Sequence, residues 1–350
     1  MRFIHTYLPT ERGGGKITKS QIYQLCLSFL LVKKNYETCK IILYTNKEIK
    51  SIIENIGLDY DEINTDVLDN INVKTFSIPK LIVYAAQREP FIHIDMDTFI
   101  FDRIDIDDRL QTYSTYPEWP VEINLTKSNI NFYKVYFEGA FKINHKLEDK
   151  FLTSVRLRSI PNMSFFGGQN FKLISEASKY CLSIYYDNQE FFDEDYYRAC
   201  IIEQLFIPAA MRMLNIDPYG ENTNFKFLYD GNPTDVEFSE TEDEFPILIG
   251  SKRDKYKQIE LSNEIDMFNN CNYNFEGFVH LNGFKNKKFF IFMIKHKIIN
   301  DFNRLDLIEK INENFEQELE IEPIYERFVE FLKNNTPLPK KTFQKKGKLL

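Results

Sequence analysis

The sequence predicts an α/β fold with a mainly parallel central sheet covered by helices, followed by a helical C-terminal extension. Two observations carry that expectation. Over roughly the first hundred residues, apolar runs of strand length alternate with segments whose apolar residues recur at helical spacing, the rhythm of a parallel sheet. From Phe289 onward only the helical period remains. The 350 residues suit two domains, or one large α/β domain with extensions, at roughly 150 residues per domain.

Residues 3–8 (Phe-Ile-His-Thr-Tyr-Leu) read as a short buried strand, ended by Pro9 and followed by loop residues Gly13, Gly14 and Gly15. Thr18 and Gln21 stand at the spacing of a capping box, in which each side chain satisfies the other residue's backbone N–H. Behind them Ile22, Leu25, Cys26, Phe29 and Leu30 line one helical face. Residues 39–44 read as a second strand stopped by Thr45 and Asn46, residues 47–56 as a short helix ended by Gly57, and residues 60–67 as a candidate edge strand. Pro79 opens a helix through Gln87, and residues 91–94 (Phe-Ile-His-Ile) form a buried strand that runs into acidic residues.

Beyond about residue 110 the alternation loosens. Residues 119–122 and 133–140 read as strands, and residues 173–186 and 200–214 as helices, with Pro208 a kink point in the second. Residues 230–246 carry Gly231, Pro233 and a run of Asp and Glu, the marks of an exposed loop. Residues 278–281 are a further short, mostly apolar run before Asn282 and Gly283. There is no internal repeat.

Composition excludes several classes. Apolar residues at 43% and charged residues at 27% describe a soluble globular chain, neither disordered nor collagen-like. A net charge of -8 argues against a broad nucleic-acid surface, so no nucleic-acid partner is expected. Cys26, Cys39, Cys181, Cys200 and Cys271 lie far apart with no C-x-x-C pair, which supports neither a zinc knuckle nor a disulfide framework and fits a reducing compartment. Few apolar residues separate Arg2 from Pro9, Glu11 and Arg12, so no signal-peptide core is read there. The longest apolar run, residues 25–32 with Ser28 inside it, falls far short of the ~18 residues of a spanning helix. A cytoplasmic protein is expected. The closing lysines (Lys340, Lys341, Lys345, Lys346, Lys348) read as a solvated terminus, with weak peripheral contact to anionic lipid as their membrane reading, at ~1 kcal/mol per Lys.

The strongest local signal for chemistry is Asp95-Met96-Asp97 after the buried strand. It falls at the carboxyl end of a parallel strand, where α/β proteins place ligands. Two carboxylates so close repel unless a cation sits between them, and their hard oxygens suit Mg²⁺ or Mn²⁺. Two other readings stand beside that one. Both aspartates can cap a strand end in solvent. Alternatively Asp95 is the nucleophile of a haloacid-dehalogenase-like phosphatase, although Phe99 and the late position of the motif depart from that pattern. A second signal is His280-Leu281-Asn282-Gly283-Phe284-Lys285, an H-x-x-G-x-K arrangement. Its imidazole can complete a carboxylate metal site, its glycine lets backbone N–H groups approach a phosphate, and its lysine neutralises one. Taken alone, it also describes a half-buried His beside a turn glycine and a solvated Lys. Gly13-Gly14-Gly15-Lys16 is not a phosphate loop, because Ile17 follows the lysine where Ser or Thr is needed. His5, His93, His145 and His296 read as structural.

Together the two motifs resemble those of GT-A glycosyltransferases, and most closely the group of glycogenin and the bacterial lipopolysaccharide galactosyltransferases. The resemblance implies a GT-A, Rossmann-like fold over residues 1–290, with a donor-binding half over about 1–110 and an acceptor half over about 111–290, and a helical extension with a basic tail over 291–350. It implies Asp95, Asp97 and His280 as ligands of Mn²⁺ or Mg²⁺, and Gly283 and Lys285 as holders of the donor diphosphate. Lys80 would be a basic donor contact and Tyr7 would stand near the nucleobase. The segment 162–168 (Asn-Met-Ser-Phe-Phe-Gly-Gly) resembles the one that shapes the sugar pocket, which would give Gly167 and Gly168 to the substrate; an ordinary turn is the equal alternative. Glu203-Gln204 stands where the family often has Asp-Gln beside the reacting carbon, or is simply helix surface. The implied activity is metal-dependent transfer of a sugar, from a nucleotide-sugar donor (UDP-sugar favoured) to a glycan or other hydroxyl acceptor. It would proceed with retention, in bacterial glycan or surface polysaccharide synthesis. An inverting enzyme with Glu203 as base, and a catalytically silent nucleotide-sugar-binding module, are the alternatives within this pattern.

Overall fold

A computed structural model describes residues 1–10, 15–106, 112–114, 117–120, 159–194, 201–214, 225–227, 245–247, 249–250, 257–259, 278–280 and 288–315. In chain order these form β1 (Arg2–Thr6), α1 (Lys19–Asn35), β2 (Lys40–Tyr44), α2 (Lys47–Ile56), β3 (Glu62–Asn64), α3 (Ser77–Ala86), β4 (Phe91–Ile94), β5 (Thr98–Ile100), β6 (Thr112–Ser114), β7 (Pro117–Pro120), β8 (Ser159–Pro161) and β9 (Phe165–Gly168). There follow α4 (Phe171–Asp187), α5 (Gln189–Asp193), a π-helical turn (Ile201–Leu205) leading into α6 (Phe206–Met213), β10 (Phe225–Phe227), β11 (Phe245–Ile247), β12 (Ile249–Gly250), β13 (Lys257–Ile259), β14 (Phe278–His280), α7 (Lys288–Phe302) and α8 (Leu305–Asn314). The chain divides into two units. The first holds Met1–Ile17, Tyr36–Met96 and Asp105–Asp235, the second Thr18–Asn35, Asp97–Ile104 and Val236–Leu350.

The first unit is built on a seven-stranded sheet in the order β10-β6-β9-β4-β1-β2-β3. All its neighbouring strands pair parallel except β9, which runs antiparallel to both β4 and β6. The central strands are apolar on both faces, as a sheet covered by helices requires. Local chemistry sets the element ends. Asn46 accepts the Ile49 N–H at 2.9 Å to start α2, and Gly57, at φ 82°, turns its own N–H back to the carbonyls of Ile53 and Glu54 to stop it. Between those caps Ile49, Ile53 and Ile56 recur on one buried face. Helix α3 packs along α4, and α4 against α6, with the Ser175 hydroxyl donating to the Ala85 carbonyl at 2.7 Å. Tyr84, Phe91, Phe166, Cys181 and Tyr185 lie in the core these helices share with the sheet.

Two local expectations change here. The segment around Gly167 is a strand in the interior of the sheet, not a turn: Ile92 faces Gly167, and a Cβ on Gly167 would stand 2.2 Å from the Phe91 carbonyl oxygen. The helix expected over 200–214 is in two pieces. Pro208 sits in the first turn of α6, where a missing N–H is tolerated, and the widened π turn precedes it. Strand β7 lies two residues before its expected start and pairs antiparallel with β8. The proposed strand over 133–140 lies outside the described residues.

In the second unit α1 begins with the expected capping box: Thr18 N–H donates to Gln21 Oε1 at 2.9 Å, and Gln21 N–H to Thr18 Oγ1 at 3.2 Å. Helix α1 packs against α7, α8 and β5. Tyr23 donates its hydroxyl to Asn312 Oδ1 at 2.7 Å, and Asn35 Nδ2 donates to the Ile100 carbonyl at 2.6 Å. A small antiparallel sheet, β12-β14-β5, and the pair β11–β13 complete it. Strand β11 takes the end of the expected 230–246 loop; residues 228–244 and the lysine tail lie outside the described residues. No helix among the described residues is long and apolar enough to cross a membrane.

Candidate functional site

In the first unit, β4 delivers Asp95 to the carboxyl end of the sheet, and its N–H is fixed by donation to the Ser164 carbonyl at 2.9 Å. Two other elements aim at it. Lys80, in the first turns of α3, places Nζ 2.9 Å from Asp95 Oδ2 as a hydrogen bond and 2.7 Å from Oδ1. Glu203, on the π turn, brings Oε1 to 3.3 Å from the same nitrogen. Such turns widen the backbone and are frequent at functional positions. The Lys80, Asp95 and Glu203 side chains are only 12%, 17% and 3% exposed, so one ammonium is shared by two largely buried carboxylates. Lys80 Nζ also stands 5.9 Å from the centre of the Phe76 ring.

Two aromatic side chains behind this cluster were not singled out as site residues from the sequence. Tyr84 follows Lys80 by one helical turn. Burial, and then the charges of Glu203 and Asp95, push its hydroxyl pKa well above the ordinary value, so it stays protonated. Its ring meets that of His93 edge-on at 5.2 Å. His93 is fully buried, and burial, followed by the charge of Lys80, lowers its pKa well below the ordinary value, so the ring is neutral. The signals that could have flagged both are spacings: i, i+4 from Lys80 on a helix, and i, i+2 before Asp95 on a strand.

The other expected residues are placed as follows. Tyr7 comes just after β1, is buried, and donates its N–H to the Tyr44 carbonyl at 3.0 Å. Gln204 is half-buried beside Glu203 on the π turn. Gly167 and Gly168 lie within β9, and the glycine requirement at 167 comes from the backbone of β4. In the second unit Asp97 is buried at the start of β5, and the register of β14 against β5 sets His280 opposite Thr98. The second aspartate of one motif and the histidine of the other therefore meet the same end of one small sheet along the backbone. Gly283 and Lys285 lie outside the described residues. Among the described residues no group of three or more His, Cys, Asp or Glu side chains is arranged to hold a metal ion.

Two buried histidines elsewhere bear on stability in acid. His5 Nδ1 lies 2.9 Å from the Tyr60 hydroxyl, and burial lowers its pKa to about 3. Burial, with the charge of Lys297, lowers that of His296 to about 4. The unfolded chain takes up these protons near pH 6.5 while the folded chain does not, so the stability these two groups contribute is full above that pH and is lost as pH falls toward these folded values. We expect the unfolding midpoint to be level above about pH 7 and to fall below about pH 6.5, by up to ~1.4 kcal/mol per pH unit for each group. Thermal unfolding across a pH series checks this, and a midpoint unchanged down to about pH 5 contradicts it.

Fold and site together define an α/β protein with a polar, charge-sharing cluster at the carboxyl end of a mainly parallel sheet, the place where that class binds ligands. By sequence, the chain belongs to a family of unknown function, DUF6734, whose profile matches residues 1–264. No curated protein matches it. Among solved structures, it is similar to the galactosyltransferase LgtC, crystallised in complex with donor and acceptor sugar analogues. That match has 11% identity and a TM-score of 0.33, over 59% of this chain and 70% of that one.

Proposed function

We propose that this chain transfers a sugar from a nucleoside-diphosphate donor, UDP-linked in the favoured case, to a hydroxyl acceptor with a divalent cation, Mn²⁺ or Mg²⁺. The observation that carries this reading is the Lys80 ammonium pinned by Asp95 and Glu203 at the carboxyl end of β4. Breaking a glycosidic bond to a diphosphate builds negative charge on the departing group, and a cation already fixed where that charge appears stabilises it without reorganising. The hard carboxylate oxygens of the cluster fit a divalent ion. On the two sequence motifs, the proposed ligands are Asp95, Asp97 and His280. When bound, the ion would add positive charge at the diphosphate. Gly283 and Lys285 are proposed to hold the diphosphate, Tyr7 the base and Gly167 with Gly168 the sugar. Glu203 and Gln204 are proposed to stand beside the reacting carbon, with retention of configuration.

The test is a thermal-shift screen of nucleotide sugars with Mn²⁺, followed by donor turnover. A ligand at a hundred times its Kd stabilises the fold by ~2.7 kcal/mol, and Asp95→Asn should remove both the shift and the turnover. An Asp95→Asn protein that still turns over donor in chelator contradicts the proposal. Phosphate release from simple monoesters, with phosphate trapped on Asp95, would assign the phosphatase chemistry instead.

A further inference from the structure

His93 is hard to account for as packing. It lies fully buried in β4, and among the described residues neither ring nitrogen makes a hydrogen bond. A buried polar group left so costs about 1–3 kcal/mol, and a leucine of similar volume would fill the same place without that cost. The ring is not randomly placed. Tyr84 braces it edge-on, and Nδ1 stands 3.6 Å from Asp95 Oδ1, just beyond hydrogen-bond range. That oxygen has Lys80 Nζ close by at 2.7 Å but no directed hydrogen bond; the directed bond from Lys80 goes to Oδ2.

We infer that His93 is the positioning residue of Asp95: its Nδ1–H closes on Oδ1 when the carboxylate takes up a divalent cation, and holds it oriented. The inference rests on the metal-dependent reading above. Carboxylates that bind metals are themselves oriented by hydrogen bonds, and removing such a partner typically weakens metal binding by 10–100-fold. A neutral imidazole carrying its proton on Nδ1 can make that bond after a movement of about half an ångström, short of the 2.7–3.2 Å range by little.

The experiment measures Mn²⁺ affinity by calorimetric titration, and thermal unfolding, on the full chain in four forms: wild type, His93→Leu, His93→Asn and Asp95→Asn. His93→Leu should unfold at or above the wild-type temperature yet bind Mn²⁺ about 10–100-fold more weakly. His93→Asn keeps an N–H near the Nδ1 position but leaves a small cavity, so it should unfold lower and retain the wild-type affinity. A role in packing alone would rank the two variants the same way in both measurements. Unchanged Mn²⁺ binding in His93→Leu, or a His93→Leu protein less stable than His93→Asn, overturns the inference. If Asp95→Asn loses Mn²⁺ while His93→Leu does not, this inference alone falls. If wild type binds no Mn²⁺, or Asp95→Asn binds it unchanged, the metal-dependent reading falls with it.

Discussion

Replacing Gly167 with alanine is expected to leave little native protein. The residue sits at φ 141°, a backbone conformation that L side chains rarely adopt, and a Cβ there would meet the Phe91 carbonyl oxygen at 2.2 Å and the Ile92 Cα at 3.1 Å. Both are backbone atoms of β4, which is clamped between β1 and β9 and cannot shift without moving Asp95. Clash and strain together should exceed about 4 kcal/mol, a large share of the ~5–15 kcal/mol that holds a typical domain. Soluble yield and thermal unfolding check this. Gly15→Ala is the control: its φ of 68° is also left-handed, but nothing lies within 4 Å of its Cβ, so it should cost only about 1–2 kcal/mol. A Gly167→Ala protein that melts with the Gly15→Ala control would contradict the interior placement of β9.

Lys80→Met should be the next most damaging change, and the one that separates charge from shape. It leaves Asp95 and Glu203 facing each other without the ammonium between them, and breaking a buried ion pair from one side costs about 3–5 kcal/mol. For a domain of this size, that lowers the unfolding midpoint by about 10 °C. Adding Glu203→Gln to Lys80→Met removes one stranded charge and should recover part of the loss. The two changes are therefore expected to be non-additive in a double-mutant cycle. Donor binding should stay lost in both proteins. A Lys80→Met protein as stable as wild type would show that the cluster is solvated and its charges screened.

The sheet was largely readable where local chemistry decides it. Asn46 and Gly57 bracket α2 by capping alone, Thr18 and Gln21 start α1, and the apolar run of β4 needs no partner to be recognised. Strand β9 was not readable, because Phe165-Phe166-Gly167-Gly168 has the composition of a turn. Only neighbours on both sides, β4 and β6, make it a strand. At the candidate site, Asp95 and Lys80 could be picked out from motif and position. The contact of Lys80 with Glu203 depends on a π turn that no spacing rule anticipates. His93 was passed over because a histidine in an apolar run is usually core. What sets it apart is a ring whose nitrogens make no hydrogen bond among the described residues yet lie beside a carboxylate, which is a fact of three dimensions.

The reversed strand also bears on how the protein is made. Strands β1, β2 and β4 can associate in the order they leave the ribosome, but β6 borders only β9 and β10, both synthesised later. The pairing of β6 with β4 through β9 therefore depends on a segment synthesised about fifty residues after β6. Insertion of β9 is thus a long-range pairing, of the kind that generally folds slowly and leaves strand edges exposed to aggregation meanwhile.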